Sequence, residues 1–313
     1  MASYLPLGSL LLVETLTEDP FGTVHRGLER DGSDGGRSVL VRRYRPDVVA
    51  AGLSDRLGEV RRNLLRLDRL PAFQGCRLVV EGAPHLVWPY SPGRTLTQAL
   101  QRAEAEGIPF GPDQALFLGW SLAHHVSQLH RVDLPLGVLT PDRVWIGFDG
   151  CVQLLDTAAA LPLRDALPSL PEARERAAPY RQGPGQEGLP HDLFQLGALL
   201  FEMLTHHPLP LGEDLEWHLL EARQPGLDGQ EAPLSEGMVQ LLRRLLGLEP
   251  GFASLEILER EVECFLFDGD YNPTTFGLAF TMHTLFRQEL MEGSQLQARE
   301  QADSGVFRAL ESL

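Results

Sequence analysis

Apolar residues change their spacing near residue 91, and that change restricts this 313-residue chain to a mixed architecture. Before it, short runs rich in Leu, Val, Thr and Tyr and bounded by turn residues read as strands: Leu10 to Thr15, Thr23 to Glu29, Ser38 to Tyr44, Arg77 to Glu81 and His85 to Tyr90. The Gly- and Asp-rich stretch Asp31 to Gly36 reads as a turn, so the first three runs form an antiparallel meander. One helix interrupts them, from about Leu53 to Leu70, with Leu57, Val60, Leu64, Leu65 and Leu67 at helical spacing and Pro71 ending it. After Ser91-Pro92-Gly93 the spacing is helical, with long segments near residues 112–130, 192–205, 215–222, 235–247 and 254–266. A hairpin from Val144 to Leu155 breaks them, turning at Phe148-Asp149-Gly150. A sheet with one helix, a linker and a mostly helical body is an α+β arrangement of two lobes, spanning residues 8–90 and 91–267, with residues 268–313 as a C-terminal addition.

Composition narrows the setting. The longest apolar runs, such as Leu10 to Val13 and Leu196 to Phe201, fall far short of the roughly 20 residues of a membrane helix, so no span is expected. Met1 to Pro6 has no basic residue before its apolar stretch and does not read as a secretory signal. Cys76, Cys151 and Cys264 are scattered without CxxC spacing, which suits a reducing cytoplasm and provides no metal framework. The net charge of -16 falls almost wholly after residue 90, since residues 1–90 hold twelve Arg against eleven Asp and Glu. Such a surface repels nucleic acid and anionic lipid. Arg56, Arg61, Arg62, Arg66 and Arg69 form a local basic stripe, read as a solvated helix face, with a phosphate or acidic-partner site as the alternative. All 27 basic residues are arginine, and only Asn63 and Asn272 are asparagine, a skew that high-GC coding produces unaided. A lysine required for chemistry would have been kept.

Three segments carry a resemblance: Glu14-Thr-Leu-Thr-Glu-Asp-Pro-Phe-Gly-Thr-Val-His-Arg-Gly27, then Gly137-Val-Leu-Thr-Pro-Asp-Arg-Val144 with Val152-Gln-Leu-Leu-Asp156, and then His191-Asp-Leu-Phe-Gln-Leu-Gly-Ala-Leu-Leu-Phe-Glu-Met-Leu-Thr205. In order and spacing they resemble the Gly-rich loop, the catalytic loop with the metal-binding strand, and the buried helix of the large lobe in bacterial members of the eukaryotic-like Ser/Thr protein kinase family. The resemblance covers about residues 8–266 and implies a protein-kinase-like two-lobed fold with an extra C-terminal helix.

It also implies that the chemistry is gone. Of three loop glycines that let backbone amides approach phosphate, only Gly22 survives, while Thr17 and Asp19 occupy the other positions and Asp19 adds negative charge there. Arg42 stands at the third-strand lysine, where it could pair with Glu59, the matching helix acid, but a forked guanidinium does not replace a compact ammonium. Val138 stands at the catalytic aspartate, Thr140 at the neighbouring lysine and Arg143 at the metal-binding asparagine. Valine cannot accept a hydroxyl proton, and Arg143 sets a cation beside a magnesium site. Asp156 remains at the aspartate of Asp-Phe-Gly; without its partner ligand, capping or hydrogen bonding is the expected role.

The adenine pocket is expected to be filled: by alignment Leu40 replaces the roofing alanine, Trp145 the leucine below, and Trp88 falls at the gatekeeper, before the hinge Pro89-Tyr90-Ser91. Ala-Pro-Glu appears as Ala178-Pro179-Tyr180, and the arginine that pairs with its glutamate falls at Phe252 or Ala253, so an apolar contact is expected in place of the ion pair. Losing both partners avoids a buried unpaired charge, worth about 3–5 kcal/mol. His124, His125 and His130, with His206 and His207, read as structural or surface histidines rather than a metal set. Ser169 is the only hydroxyl side chain between Thr157 and Tyr180, a poor basis for a phosphoswitch. Phe276 to Arg299 reads as a helix apolar on more than one face, covered either by its own large lobe or by a partner, with Phe276, Phe280, Leu285, Phe286 and Leu290 as interface candidates.

These readings converge on a catalytically inactive kinase-like domain acting as a cytoplasmic signalling scaffold or interaction module. No cofactor is expected, ATP binding is weak or absent, and the partner is a protein or a second copy. The alternative is a nucleotide-binding sensor or residual phosphotransferase using Arg42, Glu59 and Asp156.

Overall fold

The computed structural model describes residues 5–29, 36–183, 188–212, 214–226, 229–268 and 274–291. A short strand not expected, β1 (Leu5–Leu7), precedes the five expected runs, which become β2 (Leu10–Asp19), β3 (Gly22–Glu29), β4 (Arg37–Tyr44), β5 (Arg77–Glu81) and β6 (Ala83–Pro89). They pair antiparallel in the order β1-β2-β3-β4-β6-β5. Period-two alternation sorts β4: Val39 and Val41 join Leu10, Leu12 and Val87 in a small cluster on one face. Leu40 and Tyr44 enter the main core with Val24, Leu86 and Trp88, and Arg42 is buried between them in sequence. In β2 the register slips between Leu12 and Glu14 and again between Thr15 and Thr17, so Leu16 reaches the main core although Leu10 and Leu12 do not. The turn expected at Asp31 to Gly36 lies, save Gly36, outside the described residues.

The helix expected from Leu53 starts later. Pro46–Val48 forms α1, residues 49–56 make a π turn and a 3-10 turn, and α2 runs Leu57–Leu67. Gly52, at φ 125, breaks the helical path before it. The inward face of α2 is Val60, Asn63 and Leu67, whereas Leu65 is 71% exposed.

Helices dominate the rest. β7 (Gly93–Thr95) pairs with β8 (Val144–Gly147), which pairs with β9 (Val152–Leu154), making a three-stranded sheet. Around it lie α3 (Leu96–Glu106), α4 (Pro112–His130), α5 (Ala160–Ala166), α6 (Pro171–Ala177) and α7 (Leu189–Thr205), which is buried from His191 to its end. α8 (Leu215–Glu221), the ribbon β10 (Arg223–Pro225) and β11 (Glu231–Pro233), α9 (Glu236–Leu245), α10 (Leu255–Asp268) and α11 (Thr275–Leu285) follow. Thr95 and Gln98 form a reciprocal capping box that starts α3, and the Gln98 amide donates back to the Leu16 carbonyl at 2.8 Å, tying this helix to the sheet. No helix among the described residues is long and apolar enough to cross a membrane.

The C-terminal helix differs from its expectation. It runs Thr275–Leu285, breaks at Phe286 and is helical again over residues 287–291; residues 292–313, and with them the rest of the expected helix and tail, lie outside the described residues. Leu278, Met282, Leu285 and Phe286 are buried, and α11 packs on α3, α4 and β8. Arg94 and Arg102 both bind the Glu289 carboxylate, the former at 2.7 and 3.0 Å, and both guanidiniums lie within 6 Å of the Phe286 ring centre. Leu285 and Phe286, proposed as interface residues, are therefore spent on the chain's own core, with Leu290 packed partly against it. Phe276 and Phe280 remain on the surface, 79% and 65% exposed.

Candidate functional site

Where the sheet meets the helical body, a cluster of charge is buried. β4 alternation directs Arg42 and Tyr44 to the same side, and β2 ends with Asp19. The Arg42 guanidinium donates to both Asp19 oxygens at 2.7 Å, a bidentate pair. Its Nε lies 3.2 Å from Asp156 Oδ2, and the Tyr44 hydroxyl donates to Asp156 Oδ1 at 2.8 Å. The Arg42, Asp19 and Asp156 side chains are all about 1% exposed. Burial alone would depress the Arg42 guanidinium, but facing Asp156 and Asp19 more than reverses this and holds it firmly protonated. Burial and then Asp156 push the Tyr44 hydroxyl well above its ordinary value, so it stays a donor.

Asp19 does more than pair with Arg42. Its Oδ1 also accepts from the backbone amides of Phe21 at 2.8 Å and Gly22 at 3.2 Å. The turn amides are thus already occupied by an internal carboxylate. Gly22 is required there, because at φ 152 a Cβ would overlap the Arg43 carbonyl oxygen. Thr17 is half-buried beside the β2 register slip, opposite Val24.

Glu59 does not take part, contrary to the ion pair expected with Arg42. It accepts from Arg56, three residues earlier, at 2.7 and 2.9 Å, and Arg56 also reaches Asp165 at 2.5 Å. Glu59 lies off the inward face of α2, and the Arg42 guanidinium is paired with Asp19 and Asp156 instead. One turn on, Asn63 faces inward and donates to the Ala158 carbonyl at 3.0 Å.

Asp156 stands at φ 59, a left-handed conformation that aspartate tolerates, and its side chain caps nothing; the hydrogen-bonding role is met through Tyr44. Arg143 is buried and inward, donating to the carbonyls of Leu155, at 3.1 and 3.2 Å, and Val138. Burial lowers its pKa against the opposing pull of Asp156. Val138 and Thr140 are buried beside it, and among the described residues the Thr140 hydroxyl has no hydrogen-bond partner. Leu40 and Trp88 are cross-strand partners and, with Trp145, are 0, 3 and 1% exposed in one core. The Trp145 indole donates to the Ser91 carbonyl at 3.1 Å, which pins the linker between the sheet and the helical body.

Sequence reasoning missed Tyr44, although its place two residues after Arg42 on a strand puts both on one face. It also expected apolar contact at Tyr180. There the buried phenol instead donates to Glu202, whose carboxyl is raised by burial, because a tyrosine keeps an apolar body with a polar tip. Phe252 is buried, with the Arg244 guanidinium 3.9 Å over its ring centre, and Arg244 itself pairs with Glu261.

The histidines are dispersed, and among the described residues no group of three or more His, Cys, Asp or Glu could hold a metal. His125 bonds the Ser121 carbonyl at 2.6 Å, and His206 accepts from the Phe110 amide at 3.0 Å. His130, ending α4, lies 2.6 Å from Asp192 in the first turn of α7, and that hydrogen bond raises its pKa above the ordinary value near 6.5. Stability from a raised group is fully present below the unfolded value and fades as pH rises through the folded one. Urea melts of wild type and Asp192→Asn should therefore differ more at pH 5.5 than at pH 9; equal differences would show that the pair does not titrate.

No protein-family model matches the chain, and no curated protein matches its sequence.

Proposed function

We propose that the chain is a catalytically inactive, protein-kinase-like two-lobed domain, a degenerate relative of the bacterial eukaryotic-like Ser/Thr kinases, that works in the cytoplasm as a signalling scaffold or interaction module. One observation carries this reading: the Asp19 carboxylate accepts from the turn amides of Phe21 and Gly22 and from the one buried arginine of β4, the groups that by the kinase resemblance would face a phosphate. A nucleotide has to displace an internal anion held by four hydrogen bonds before it gains any of them. The order of elements supports the same reading, with an antiparallel sheet and one long helix before a helical body. So does the meeting of Arg42 with Asp156, the positions at which kinases hold the phosphate-binding lysine and a metal-binding aspartate. No base stands at Val138, and Arg143 is committed to backbone carbonyls.

The competing reading, a nucleotide sensor or residual phosphotransferase, requires Arg42, Glu59 and Asp156 to converge on a phosphate. Two of these are bound to each other and the third is bonded to Arg56. Thermal-shift and calorimetric titration with ATP, with and without magnesium or manganese, separates the two. The expected result is no saturable stabilisation up to millimolar nucleotide; saturable binding, or radiolabel transfer abolished by Asp156→Asn, overturns the inactive assignment.

A further inference from the structure

We propose that the groove between α8 and α9 is a docking site for a basic, apolar-anchored segment of a partner protein. The groove has a volume of about 440 Å³, with Leu219, Leu234 and Val239 in its wall and Glu236 and Glu249 at its edge. Leu220 lines it while remaining 55% exposed, and Trp217, one turn earlier on the same helix, is 54% exposed. A seven-residue helix, begun by the Asp214 cap, thus presents a tryptophan and a leucine to solvent, the leucine lining a groove of mixed character in which three further apolar residues meet Glu236, Gln240, Arg243 and Glu249. Large aromatic and aliphatic groups next to a pocket are the usual anchors of protein recognition.

Charge selects the occupant. Arg243 is the cation of the groove lining, and it is already neutralised by Glu216, with Glu249 at 4.0 Å. The remaining edge charge is negative, so a segment with apolar anchors flanked by arginine or lysine is complementary, whereas an acidic one is repelled. A second copy brings the same acidic groove and a net charge of -16, which disfavours self-association here. This deepens the interaction reading above, and rests on it only in taking binding to be the protein's work.

The test uses a random dodecapeptide phage library selected on the full-length chain, with the most enriched peptide made in fluorescein-labelled form. The expected outcome is enrichment of basic peptides with Leu, Ile, Phe or Trp anchors. Their affinity falls about ten-fold on Leu220→Asp, and several-fold both on Glu236→Arg and on raising salt. Both substituted positions are exposed, and circular dichroism checks that the variants fold. Failure to enrich, enrichment of acidic peptides, or affinity unchanged by both variants overturns the proposal. Self-association in sedimentation that Leu220→Asp abolishes makes the occupant a second copy and overturns it equally. None of these outcomes bears on the ATP titration, so the two readings fail separately.

Discussion

Arg42→Met is expected to lower the free energy of unfolding by about 3–5 kcal/mol, a large share of the roughly 5–15 kcal/mol that holds a domain together. The reason is what it leaves behind. Asp19 and Asp156 are both buried, and the guanidinium is the charge that faces both of them. Methionine fills much of the volume but strands two carboxylates, and their desolvation is no longer offset. Arg42→Lys keeps the charge yet cannot donate two parallel bonds to Asp19 while touching Asp156, so its loss falls between wild type and Arg42→Met. Glu59→Gln is the control, because Glu59 bonds only Arg56 near the surface and its replacement should stay within about 0.5 kcal/mol. Urea unfolding of the three variants decides the matter. An Arg42→Met protein within 1 kcal/mol of wild type would mean that the buried cluster contributes little.

Truncation after residue 273 is expected to prevent stable folding. It removes Leu278, Met282, Leu285 and Phe286, all buried, and burial of each large apolar side chain is worth about 1.5–3 kcal/mol. Their sum is comparable with the whole stability of a domain. It also bares Phe148, whose ring contacts both His283 and Phe286, and frees Arg94 from Glu289. Since a truncated chain that never folds yields no stability value, a pair of point variants makes the comparison quantitative. Phe286→Ala should cost about 3–5 kcal/mol, whereas Phe280→Ala, on the exposed side of the same segment, should stay within about 0.5 kcal/mol. Thermal or urea unfolding measures both. Equal losses at the two positions would mean that α11 is not seated on α3, α4 and β8.

Legibility varied with how local the determining interaction was. The strands were visible because the types and spacing of apolar residues over a few positions mark the element, whereas the split of Val39 and Val41 from Leu40, Arg42 and Tyr44 onto opposite faces of β4 emerges only in the fold. Long helices such as α4 and α7 were visible for the same reason at a different period. α3 was not singled out as a segment because its buried face, Leu96, Ala99, Leu100 and Ala103, is a short stripe half made of alanine. α5 and α6 are seven residues each, so short that spacing marks them poorly, although α8, of the same length, was legible. At the charged cluster, the resemblance pointed to Arg42, Asp19 and Asp156 as the groups to consider, yet the pairing with Glu59 that it allowed for Arg42 is not the one formed.

What the amino-acid order determined alone was the α+β class and the places of most strands and long helices. Each of these follows from periodicity or residue chemistry within a few positions of chain. Only the tertiary structure decided that Arg42 holds Asp19 and Asp156 rather than Glu59, that Asp19 caps its own turn, and that Phe286 points inward while Phe280 does not. Those choices depend on distances between segments far apart in sequence. They depend as well on the cost of burying charge, which is met only when a specific partner arrives at hydrogen-bonding distance.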